Sequence, residues 1–173
     1  MIKRFIPVLL TVLLIILYQY FFFTSTIEQA MDKQDEPGRQ FITTIIDDKN
    51  AVTFTDSEAG LIRATTLSKS YYGWRVKDQM EIVIPIDSKE GFVEKGETLD
   101  LKSGKSIYLL MGVLLDPDIA DIEIHADGGS QEVGPDIAIS QSGTRIFFWV
   151  GDEKLEGITY RATGYNGDVL YAK

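Results

Sequence analysis

The chain has 173 residues, 17 basic against 26 acidic side chains, a net charge of −9 at neutral pH and no cysteine. That length fits one ordinary domain, and two would be crowded. The absence of cysteine excludes a disulfide framework and a lipid-carrying cysteine. The acidic balance disfavours nucleic acid and anionic lipid headgroups, which are bound through cationic patches.

The first predicted element is the stretch Phe5 to Phe23, nineteen positions without a charged residue. As a helix it rises about 28 Å at about 1.5 Å per residue, close to the ~30 Å hydrocarbon thickness of a bilayer. It exceeds the apolar region of about 7–15 residues usual in a cleaved signal peptide. The only small residues after it, Thr24-Ser25-Thr26 and Ala30, form no cleavage pattern. Tyr18, Tyr20 and Phe21 to Phe23 put rings at its far end, as at a membrane interface. Pro7 lies near its start, where a helix tolerates it. The expectation is an uncleaved transmembrane signal anchor over 5–23. Lys3 and Arg4 ahead of it place residues 1–4 in the cytoplasm and the rest of the chain outside the cell. Setting those two aside leaves 15 basic and 26 acidic residues, a net charge of −11.

Residues 24–40 read as a juxtamembrane stalk, prolonging the helix through Gln34 until Pro37-Gly38 stops it. The remainder, 41–173, reads as one extracytoplasmic β domain. Phe41 to Ile46 is too short for periodicity to separate helix from strand. From Ala51 the period is two: Val52 and Phe54 alternate with threonines, and Asp56 to Gly60 makes a turn. Leu61 to Leu67, Ser70 to Val76 and Met80 to Ile86 follow as strands, with Pro85 expected at an edge or a strand end. Asp87 to Ser106 is polar and glycine-containing, expected as a surface excursion with Phe92-Val93 its one apolar point. Ile107 to Leu115, IYLLMGVLL, is too short to span as a helix and reads as a strand buried on both faces.

Further strands are expected over Ile119 to Ala126, Val133 to Ser140, Thr144 to Val150, Ile158 to Tyr165 and Val169 to Ala172. Turn residues separate them at Asp127-Gly128-Gly129, Ser142-Gly143, Gly151-Asp152 and Asn166-Gly167. A two-residue Asn-Gly loop would pair Gly164 with Val169 and Ala162 with Tyr171, on a face shared with Ile158 and Tyr160 that is expected to be core. About ten strands with almost no amphipathic helix predict a mostly β fold, an antiparallel sandwich or an open barrel.

Period two places Asp121, Glu123 and His125 on one face of a strand, three potential metal ligands. Alternate residues stand about 6.6 Å apart, far for one ion with bonds of about 2.1 Å. A solvated edge-strand face is therefore the competing reading. Asp116-Pro117-Asp118 lacks the pattern of a calcium loop and reads as a capped turn. His125 is the single histidine, and no G-x-S-x-G, P-loop or dinucleotide fingerprint accompanies it, so neither a catalytic set nor a cofactor is assigned. Tyr71, Tyr72 and Trp74 cluster around Gly73, while Phe147, Phe148 and Trp149 are consecutive. Rings exposed on a sheet make binding surfaces, so Tyr71, Tyr72, Trp74 and Trp149 are candidate contact residues, the competing reading being a sheet covered on both faces.

The stretch Ala51 to Val76, an AVTF strand followed by a glycine and YYGWRV, resembles small uncharacterised exported or membrane-anchored proteins of bacillus-type Gram-positive bacteria. LLMGVLLDPDIADIEIH (109–125), with its G-x-x-x-D-P-x-I run, and LEGITYRATGYNGDVLYAK (155–173) are similar to the same group. The resemblance covers about two thirds of the chain, rests on structural motifs and implies location and β architecture; it transfers no catalytic residue. This chain departs from the lipoprotein members in having no cysteine to lipidate. The expected function is a membrane-anchored binding or interaction module of the bacterial cell envelope, taking an envelope protein or a wall component as partner and not nucleic acid. The alternatives are an envelope hydrolase using acidic residues, with or without a metal, and a structural or regulatory ectodomain acting through its helix.

Overall fold

A computed structural model describes residues 5–22, 24–34, 38–57, 59–85, 88–127 and 131–173. Lys3, Arg4, Phe23, Pro37, Glu58, Ile86, Asp87 and Gly128-Gly129, which carry parts of the expectations above, lie outside the described residues, as do the side chains of Tyr20, Phe21 and Phe22. Helix α1 runs Phe5–Phe22, 18 residues, with side chains described from Leu9 to Tyr18. Among the described residues no helix is long and apolar enough to cross a membrane.

The rest is antiparallel β structure in three open four-stranded sheets. The first sheet has the order β1-β2-β3-β4, with β1 Arg39–Ile45, β2 Asn50–Ser57, β3 Leu61–Ser70 and β4 Gly73–Val83. The middle sheet is β5-β6-β10-β9, with β5 Phe92–Asp100, β6 Ser106–Leu114, β9 Asp136–Ile139 and β10 Arg145–Gly151. The third is β12-β11-β7-β8, with β7 Ile119–Ala126, β8 Gln131–Val133, β11 Thr159–Gly164 and β12 Val169–Ala172. The chain completes the first sheet, then passes between the middle and third sheets three times.

Two cores lie back to back across the middle sheet. Ile107, Leu109, Met111 and Val113 of β6 pack with Ile146 and Phe148 against Val52, Phe54, Ile62 and Met80 of the first sheet. The alternate residues Tyr108, Leu110 and Leu114, with Phe147, pack against Ile122, Ile124, Tyr160 and Ala162 of the third. Ring stacking joins the layers, with Phe54 and Phe148 4.5 Å apart on one side, and Phe92 5.9 Å from Phe147 and 5.4 Å from Tyr160 on the other. Strand β6 is thus buried on both faces, as the IYLLMGVLL run predicts. A two-layer sandwich has no sheet covered on both sides, so the expected sandwich becomes a stack of three layers.

Four local expectations are corrected. Tyr71-Tyr72 form the turn between β3 and β4 instead of lying within a strand. Residues 92–100 are an edge strand buried only at Phe92 and Leu99; the run of polar residues and glycine between them made the segment read as a loop. Val133 to Ser140 is broken at Gly134-Pro135 into β8 and β9, which belong to different sheets, because proline supplies no N–H to a ladder. At the closing hairpin Ala162 pairs with Tyr171 as expected, but an irregularity moves Val169 opposite Thr163. The face expected to be core holds Tyr160 and Ala162, with Ile158 and Tyr171 against its rim. Pro85 follows the end of β4, as expected.

Candidate functional site

The most distinctive surface lies where α1 meets the β3–β4 turn. Gly73 has φ +94°, and a Cβ there would lie 1.8 Å from the Thr24 carbonyl oxygen, so the position requires glycine for both conformation and space. Ser70 secures the turn: its hydroxyl donates to the Gly73 carbonyl at 3.2 Å and accepts from the Tyr72 N–H at 3.2 Å. Thr24 then ties the chain leaving α1 to this turn. Its N–H donates to the Tyr72 carbonyl at 3.2 Å, its carbonyl accepts from the Trp74 N–H at 2.8 Å, and its hydroxyl donates to the Trp74 carbonyl.

Helix α2, Ile27–Met31, follows, capped by Thr26, whose hydroxyl accepts from the Gln29 N–H at 3.2 Å. It presses Ala30 and Met31 onto Ala51, Leu67 and Trp74. Residues 24–34 are therefore docked on the first sheet, where the sequence predicts a stalk continuing the first helix. Ser25, Thr26 and Gln29 break that continuity by satisfying the new helix start.

Trp74 is 9% exposed in this small third core, whereas Tyr71 at the turn is 87% exposed. Tyr72 stands edge-on to Tyr71 at 5.4 Å and to Tyr18 of α1 at 6.0 Å, with the Arg75 guanidinium 5.7 Å from its ring. Trp149 belongs elsewhere, half-buried beside Tyr108. The structure thus brings Tyr71, Tyr72 and Trp74 to one hairpin, with two rings outward and one inward, and leaves Trp149 apart.

Beside Tyr71 a shallow cleft of about 400 Å³ is lined by Asp48, Lys49, Lys69, Ser70, Tyr71 and Lys102. Its three lysines come from the β1–β2 connection, the end of β3 and the segment between β5 and β6, held by hydrogen bonds. Ser68 donates to the Asn50 side chain at 2.7 Å and accepts from the Lys102 N–H at 3.1 Å. Asn50 and the Lys49 N–H both donate to Asp47, whose carboxyl is held below its ordinary value first by the Asn50 side chain and then by the Lys49 N–H. The Lys69 N–H donates to the Lys49 carbonyl at 2.6 Å, and the Lys69 amine lies 5.7 Å from the Trp74 ring. Among the described residues no ion pair involves these three amines.

Asp121, Glu123 and His125 do share the outer face of β7, opposite Ile122 and Ile124. Glu123 lies 3.7 Å from His125 Nε2 and 3.4 Å from Arg161 of the neighbouring strand, while an Asp121 oxygen accepts from the adjacent Ile122 N–H at 2.8 Å. Among the described residues no three His, Cys, Asp or Glu side chains are grouped to hold a metal ion. Sequence reasoning missed Asp56, buried at 4% exposure, whose carboxylate accepts from the Ser142 N–H at 3.2 Å. Burial raises its pKa, but Ser142, Ser140 and the Arg39 charge outweigh that and hold it below the ordinary value. This contact joins the first sheet to the β9–β10 turn 86 residues away, a separation without a sequence signal.

Comparison of the chain with family profiles, with curated proteins and with solved structures finds no match.

Proposed function

We propose that the chain is a membrane-anchored binding module of the cell envelope. In this reading α1 is a single-pass anchor with a cytoplasmic N-terminus, and the three-layer β domain stands on the extracytoplasmic side. The observation that carries it is the exposure of α1: Leu9, Leu10, Val12, Leu13, Leu14, Ile15, Ile16 and Leu17 are 42–74% exposed. Among the described side chains, Leu9 to Tyr18, these run round the helix and none is buried in the domain's core. Transferring the exposed part of eight such side chains from water to lipid stabilises by roughly 6–13 kcal/mol. The side chains described, Leu9 to Tyr18, cover about 15 Å of helix, which alone is too short to cross a membrane; in this reading the span is completed by the flanking uncharged residues of the sequence, Phe5 to Val8 and Gln19 to Phe23. The exposed tyrosines at the β3–β4 turn supply a contact surface.

The test is alkaline extraction of membranes from cells expressing the full chain, combined with labelling of Asn166→Cys by an impermeant maleimide in intact cells. Asn166 sits in an exposed turn, and the parent has no cysteine to react. Retention in the pellet with labelling from outside is expected, and the double variant Leu13→Arg, Ile16→Arg releases the protein. Extraction of the parent into the alkaline supernatant, or labelling only after lysis, overturns the reading.

A further inference from the structure

The geometry points to a second membrane contact: the β3–β4 turn enters the headgroup layer, where Lys49, Lys69 and Lys102 bind the phosphate of an anionic phospholipid. This rests on the anchor proposed above. Tyr18 lies one turn before the end of α1, and its ring touches Tyr72 at 6.0 Å. Thr24 is hydrogen-bonded on both sides to Tyr72 and Trp74. The turn is therefore fixed alongside the last turn of the apolar helix and cannot stand off from the bilayer that receives it. Tyr71, 87% exposed at the apex, has the amphipathic ring that favours the interface. The cleft opens beside that ring, at headgroup depth.

The chemistry of the cleft fits a phosphate. Three lysines line it, from the β1–β2 connection, the end of β3 and the 3₁₀ turn at Lys102–Gly104, with the Asp48 carboxylate beside them. Tyr71 adds a phenolic hydroxyl to its lining, while the Ser70 hydroxyl is committed to the turn. Ser68 and Asn50, both buried, hold the connections in place, so the arrangement exists before any ligand arrives. In a chain of net charge −9, a cluster of cations beside an apolar helix complements an anionic leaflet. It reverses the expectation from overall charge that anionic headgroups are poor partners. Each lysine near such a surface strengthens binding about fivefold, and with the Asp48 carboxylate in the same lining the net of two positive charges contributes roughly 25-fold.

The experiment places the full chain in nanodiscs of phosphatidylcholine alone, or of phosphatidylcholine with one third phosphatidylglycerol, and follows hydrogen exchange at residues 47–50, 69–75 and 101–105. Exchange there is expected to slow at least tenfold on adding phosphatidylglycerol, and molar salt reverses the effect. Lys49→Glu, Lys69→Glu, Lys102→Glu abolishes the difference without changing exchange in the middle sheet. Tyr71→Trp fluorescence is quenched by brominated lipid. Equal exchange in the two disc types, or a lipid effect that survives the triple variant, overturns the inference. So does inorganic phosphate reproducing the protection in phosphatidylcholine discs, which would make the ligand a soluble phosphate. If the chain does not stay in discs of either composition, the anchor reading fails; anchoring without lipid-dependent protection defeats this inference alone.

Discussion

Replacing Gly112 by alanine tests the three-layer stack at its centre. Gly112 lies on β6 opposite Phe147 of β10 and Glu94 of β5. A Cβ there would sit 2.1 Å and 2.2 Å from two Phe147 ring carbons and 2.7 Å from the Val93 carbonyl oxygen. The ring has nowhere to go, being fully buried with Phe92 at 5.9 Å and Tyr160 at 6.2 Å. Overpacking of a filled core costs about 1–3 kcal/mol, and the backbone clash puts this site at the upper end. Alanine recovers part of that, about 0.5–1 kcal/mol, by restricting the unfolded chain. The expected loss is about 2 kcal/mol, a fall of about 4–8 °C in Tm for a chain of this size, read by thermal or urea denaturation of the full chain in detergent. Gly134→Ala is the control, since a Cβ there meets nothing within 4 Å. Adding Phe147→Leu to Gly112→Ala should couple favourably, by about 1 kcal/mol, and should leave the Val93 clash. A Gly112→Ala variant within about 0.5 kcal/mol of the parent would refute the tight stacking of Phe147 over β6.

Trp74→Ala is expected to cost about 3–5 kcal/mol, as truncation of a buried tryptophan does, and to speed amide exchange in α2, while Tyr71→Ala leaves the midpoint within about 0.5 kcal/mol; equal losses would mean that the two rings are not divided between core and surface. Asp56→Asn should destabilise by about 1 kcal/mol near neutrality, the difference between a charged and a neutral acceptor. The Asp56 carboxyl is depressed in the folded state, so its contribution is present above the ordinary value of 3.8 and is lost as pH falls through the folded pKa. Parent and variant should therefore converge on acidification below pH 3.8, as measured by urea midpoints, and a gap that persists there contradicts the assignment.

What could be read from the sequence follows from what period-two patterns encode. IYLLMGVLL and the run Phe147-Phe148-Trp149 announce strands apolar on both faces, and Asn166-Gly167 announces its hairpin. Neither pattern says how many sheets are needed to cover such strands, so the third layer was invisible. The β3–β4 turn was hidden because Tyr71-Tyr72 is unlike ordinary turn sequences. The turn is set by Gly73, whose left-handed backbone and close approach to Thr24 depend on a residue nearly fifty positions away. Trp74 belongs to the same aromatic cluster as Tyr71, yet three positions separate solvent from core, because Tyr71 lies in the turn and Trp74 in the strand that follows it.

The cationic cleft shows why overall charge is a weak guide to partners. The sum of −9 is a property of the chain, whereas a ligand responds to charges within a Debye length, about 8–10 Å at physiological salt. Lys49, Lys69 and Lys102 are spread over more than fifty positions, each among polar residues that read as ordinary loop. Only the pairing of β2 with β3 and the Ser68 link to Lys102 bring them to one place. The acidic residues that dominate the sum lie in part elsewhere, Asp121 and Glu123 on the outer face of the third sheet, across two cores from the turn. Solvent and salt screen those carboxylates from the cleft far more than they screen three amines in the same cleft from each other. Charge reversal at Glu123 should therefore leave lipid-dependent protection of the turn unchanged, while reversal at Lys69 should weaken it.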